Sequence, residues 1–132
     1  MPDLFTILNE LHASYSEWLS IQKSDSLKLD LKYASIAGIH LDKCQEVLNR
    51  MGIGIEFLKT DENALLAFRL ANLAMHIQHD WKVKADPSLA ELSWRPFQIG
   101  FILLTLESVC NGESDFRDTL DLLWFPTGGG KT

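Results

Sequence analysis

Cysteine is scarce in this sequence: Cys44 and Cys110 are the two among 132 residues, and no apolar signal stretch precedes them. That excludes a small fold held by disulfides. A reduced, cytoplasmic setting is expected, with both thiols packed as small core residues. Long apolar runs are also missing. The longest, Phe101 to Leu106, is interrupted by Thr105 and falls far short of the ~20 residues that a membrane span needs, so no membrane role is expected. Strand signals are few, with no alternating run and no Asn-Gly hairpin between such runs. Basic residues are outnumbered, 12 Lys and Arg against 18 Asp and Glu, for a net charge of −6. A free-standing nucleic-acid binder is thereby disfavoured, because attraction to phosphates starts from a basic field. The 46% hydrophobic and 23% charged content is that of one ordinary globular domain with a single core.

What the sequence has is helical periodicity. Residues 2–22 repeat Leu4, Ile7, Leu8, Leu11, Tyr15, Trp18 and Leu19 at three- and four-residue spacing. This predicts an amphipathic helix with Pro2 suited to its start and Trp18 in the core. Lys23-Ser24-Asp25-Ser26 is the expected break. A second helical stretch covers 29–58, where Gly52 and Gly54 each cost about 1 kcal/mol relative to Ala. They imply either a kink or a Gly52 cap followed by a short separate piece. Thr60-Asp61-Glu62-Asn63 has the composition of a helix start, with acidic residues where the helix dipole favours them. The helix that follows runs to about His79. Its broad apolar arc, including Leu66, Leu70, Leu73 and Ile77, predicts burial between helices.

His76, His79 and Asp80 lie close on that helix but are too few for a metal site, and His12 and His40 are distant in sequence. Lys82 to Ser88 is a polar connection that divides a helical region, 1–86, from a second region, 87–132. After Arg95 a third, nearly all-apolar helix is predicted, ended by Asn111 to Asp115. The fold class is therefore mainly α: an irregular multi-helix bundle with at most one short β-strand, near residues 120–125, leading into a C-terminal glycine loop.

That loop carries the chemistry. Trp124-Phe125-Pro126-Thr127-Gly128-Gly129-Gly130-Lys131-Thr132 has the composition of a P-loop, in which glycines let backbone N–H groups close around phosphate oxygens. Lys131 would reach the β- and γ-phosphates and the Thr132 hydroxyl would ligate Mg²⁺. The apolar run before it, Thr119 to Phe125, matches a buried parallel strand entering such a loop. Upstream, Trp94-Arg95-Pro96-Phe97-Gln98 places Pro at a helix start and Gln98 in its first turn.

Residues 125–132 resemble the superfamily 2 helicase form of the P-loop, Ala-x-Thr-Gly-x-Gly-Lys-Thr, with Phe125 in place of the Ala. The Arg95-to-Gln98 element resembles the segment that many of these enzymes carry ahead of the loop, where the Gln amide reads the adenine edge. Together with Ala67 to Met75, these stretches are similar to the helicase of DISARM anti-phage defence systems. The resemblance implies an N-terminal fragment of an ATP-dependent helicase, with residues 87–132 the start of a RecA-like ATPase domain. The implied nucleotide-binding residues are Gln98, Arg95, Thr127, Gly128, Gly129, Gly130, Lys131 and Thr132, with Mg²⁺ on Thr132. It also implies nucleic acid as a partner through domains beyond these residues.

A RecA-like site needs the helix that follows the Lys-Thr pair and a downstream acidic residue for Mg²⁺. The 132 residues contain neither, so no catalytic set is complete, and the chain alone is expected to bind ATP weakly and not to hydrolyse it. The alternative is a stand-alone helical interaction module with a relic P-loop. In either case the apolar Leu120-to-Phe125 run is expected to self-associate, aggregate or dock onto a hydrophobic groove.

Overall fold

The computed structural model of the chain describes residues 3–124 and Gly128. Among these residues there are four helices and no strand: α1 (Leu4–Ser26), α2 (Leu31–Thr60), α3 (Glu62–Ala85) and α4 (Pro96–Cys110). Pro2 lies outside the described residues. Asp3 caps α1, its carboxylate accepting from the Phe5 N–H at 3.2 Å. The polar stretch at 23–26 does not break the helix as expected, because its side chains are used elsewhere. Lys23 donates to Gln45 of α2 at 2.8 Å and Ser26 donates back to the Lys23 carbonyl at 2.7 Å. The turn follows instead at Leu27 to Asp30, through bonds from the Lys28 and Leu29 N–H groups to the carbonyls of Asp25 and Ser26.

α2 is the central element. Its largest interface is with α4, followed by that with α1. It passes through Gly52 and Gly54 as one continuous helix, and both glycines lie at close packing contacts. A Cβ on Gly54 would run into the Leu103 carbonyl of α4, and one on Gly52 would lie 3.2 Å from His12 Nε2 of α1. That imidazole is itself held 3.0 Å from the Leu48 carbonyl. The missing side chains let the α4 backbone approach α2 and leave room for the His12 imidazole. The core formed there contains Leu8, Met51, Ile55, Leu58, Ala64, Phe68, Ile99 and Leu103, so α4 returns across the 86–95 connection to the same core as α1 and α2.

Asp61 joins α2 to α3 in a single residue. Its N–H closes α2 onto the Phe57 carbonyl at 2.9 Å, and its carboxylate accepts from the Ala64 N–H at 2.8 Å to open α3. So sharp a joint points α3 away from the bundle after its first turns, and only Ala64 and Phe68 of α3 are buried. The predicted burial between helices is thus corrected: Leu66, Leu70, Leu73, Ile77 and Trp81 are each 40–64% exposed. The spacing records what α3 is shaped to cover, and no element among the described residues lies along it. Trp18 is likewise half exposed rather than in the core, stacked on Tyr15 with ring centroids 5.4 Å apart.

Candidate nucleotide loop and the strap that leads to it

The start of α4 is held from two sides. The Gln98 amide oxygen accepts from the Arg95 N–H at 2.9 Å, reaching back over the first turn. Behind it, Trp94 Nε1 donates to Asn72 of α3 at 2.7 Å, and Asn72 in turn donates to the Phe68 carbonyl at 2.7 Å. Gln98, assigned to the adenine edge, therefore has a local duty as a helix cap. An amide oxygen accepts two hydrogen bonds, so capping and recognition of a base edge are not exclusive.

From the end of α4 the chain doubles back as a strap, residues 111–124, tied down along its length. Glu107 accepts from the Asn111 amide at 2.7 Å and from the Ser114 hydroxyl, which fixes the turn. The Arg117 guanidinium donates to the Ser108 and Val109 carbonyls, both at 2.8 Å, and so satisfies two of the orphan acceptors at the helix end. Further on, Asp121 accepts two parallel bonds from Arg50 of α2, Nη1 to Oδ1 at 2.6 Å and Nη2 to Oδ2 at 2.8 Å. Arg50 lies 4.7 Å from the centre of the Phe116 ring. The hydrogen bonds that Arg50 donates to Asp121 favour the charged guanidinium and raise its pKa further, against the opposing effect of burial.

The strap is not a strand, but its side chains alternate. Asp121 and Leu123 are half buried, while Leu120, Leu122 and Trp124 are 95%, 83% and 85% exposed. Beside Asp121 to Leu123 lies a groove of about 530 Å³, completed by Leu11 and Tyr15 of α1, Val47 and Met51 of α2, and Pro96 and Phe97 of α4. Part of the apolar run thus docks on the bundle and part faces outward. Burial pushes the Tyr15 phenol up to about 12, with the Cys44 thiol contributing.

The groove brings the two stretches singled out in the sequence to one place, the start of α4 and the segment before the glycine loop. Phe125, Pro126, Thr127, Gly129, Gly130, Lys131 and Thr132 lie outside the described residues. Gly128 has φ +83° with open space where a Cβ would be. This left-handed conformation favours glycine. Elsewhere, His76 Nδ1 lies 3.3 Å from Asp80, and no group of three or more potential metal ligands occurs among the described residues. No helix among them is long and apolar enough to cross a membrane.

The sequence reading missed Arg50, Phe116, Arg117 and Glu107. Arg50 had a signal: it is a lone cation between Val47, Leu48 and Met51 on the apolar side of α2.

These features define a helical module whose last helix is followed by a strap that precedes a glycine-rich sequence. No protein-family model matches the chain. It is similar to the DISARM protein DrmA of Bacillus paralicheniformis (strain ATCC 9945a / NCIMB 11709 / CD-2), with 39% identity over 137 aligned residues covering 95% of this chain. Identity at that level along nearly the whole length makes the two related. The alignment takes in 12% of DrmA, so the chain spans about one eighth of the length of this relative.

Proposed function

We propose that the chain is the helical region leading into the first nucleotide-binding motif of a DISARM-type superfamily 2 ATPase, acting in phage defence through ATP-driven work on nucleic acid. The observation that carries this is the relationship to a DISARM protein along 95% of the chain. In this reading Lys131 binds the β- and γ-phosphates, Thr132 holds Mg²⁺, and the backbone of residues 127–130 cradles the phosphates. Gln98 and Arg95, at the start of α4, lie beside the base. Bound Mg-ATP would supply the phosphoryl group whose transfer does the work. Nucleic acid would be engaged by other parts of the protein, consistent with the chain's net charge of −6.

Calorimetric titration tests this on a chimera in which residues 1–132 replace the matching segment of DrmA. Micromolar binding of Mg-ATP, lost on Lys131→Ala, is expected. Equal binding with and without Lys131 would sink the assignment. A second reading, a helical protein-interaction module with a relic loop, is favoured by the exposed apolar stripe on α3. It predicts no nucleotide binding by the chimera.

A further inference from the structure

The pair that ties the strap to α2 is poorly suited to a purely stabilising task. The Arg50 side chain is 5% exposed and that of Asp121 17%, and Arg50 Nε is buried without a hydrogen-bond partner among the described residues. Taking a guanidinium out of water is costly, and an orphaned N–H adds to the cost. An apolar pair of similar volume commonly serves stability as well or better. What apolar contact lacks is direction. Two parallel bonds hold the Asp121 carboxylate in one orientation, and the Phe116 ring packs against the same guanidinium.

Direction matters because burial alternates along residues 120–124, so a slip of one residue would exchange the inward and outward sets. The groove by itself tolerates such a slip, since Leu122 or Trp124 is as apolar as Leu123. Arg50 does not, because Asp121 is the one acid within residues 119–125. The register of the chain at Asp121, seven residues before Gly128, is therefore fixed from α2.

We infer that Arg50 is a positioning residue for the nucleotide loop: through Asp121 it sets the register and direction of residues 119–124, the segment that precedes the loop. The inference rests on residues 125–132 being a phosphate loop, and its test has one arm that does not depend on that. In the nucleotide-free 132-residue chain, ¹⁵N relaxation should show backbone order parameters at 121–123 falling from ~0.8 to below ~0.6 in Arg50→Met, with α1, α2 and α4 unchanged. Asp121→Ala, made on the strap itself, should do the same without altering the buried face of α2. The exchanged pair Arg50→Asp/Asp121→Arg should recover part of the order.

In the DrmA chimera, Arg50→Met should lower kcat/KM for ATP by about 100-fold, the scale of a small misplacement of reacting groups, and the exchanged pair should restore part of it. Unchanged order at 121–123 in both single variants would overturn the inference, as would a loosened strap with unchanged kcat/KM. A chimera that fails to bind Mg-ATP with Arg50 intact would bring down the phosphate-loop reading and this inference together, while the relaxation arm would still report whether Arg50 holds the strap.

Discussion

Gly54 of α2 lies directly against the backbone carbonyl of Leu103 in α4, so close that a Cβ has no room. This contact sets the distance between the two helices that share the largest interface. Gly54→Ala should lower stability by about 1–3 kcal/mol through overpacking, despite Ala being the better helix former by about 1 kcal/mol. Urea unfolding monitored by circular dichroism gives the value, and a gain in stability would show that the helices are free to part.

Leu70 and Leu73 carry the same periodic signature as Phe68 but are about half exposed. Leu70→Gln and Leu73→Gln should each change stability by less than ~0.5 kcal/mol, whereas Phe68→Ala should cost about 3–5 kcal/mol. Thermal melts of the three variants compare them directly.

The contrast shows how far the sequence could be read. Helices were legible because the apolar spacing along α1, α2 and α4 is produced by the core they share. Along α3 the spacing is equally clear, yet no residue pattern states whether the covering partner lies within these 132 residues. The break at 23–26 was misplaced because Lys23 finds Gln45, a contact made across helices. The start of α4 was legible as a local string. Arg50 and Asp121 were not, since they are 71 residues apart and meet only through the fold.

Tyr15 provides a pH signature. Its phenol is pushed up from 10.0 to about 12, first by burial and then by Cys44. A folded-state value above the unfolded one means that the neutral phenol is favoured in the folded state. Its stabilising contribution is full below pH 10 and is lost as pH rises from there toward 12. Denaturation midpoints should fall over that window, and the fall should be shallower in Tyr15→Phe. An identical decline in both proteins would mean that another group is responsible.

The isolated 132-residue chain should bind Mg-ATP far more weakly than the chimera, because the residues contain no helix after the Lys-Thr pair to direct N–H donors at the phosphates. Ordering a loop without that support costs roughly 1–2 kcal/mol per residue. Calorimetry that gave micromolar affinity, abolished by Lys131→Ala, would show a loop already formed in the isolated chain.

Steady-state ATP hydrolysis by the DrmA chimera, with and without Lys131→Ala, tests most directly that the strap delivers a working phosphate loop. The expected result is turnover by the chimera that drops at least ~100-fold on Lys131→Ala, the scale of losing one donor to the transferring group, with the unfolding temperature unchanged. Equal turnover in the two proteins, or none in a chimera that folds as stably as DrmA, would contradict it.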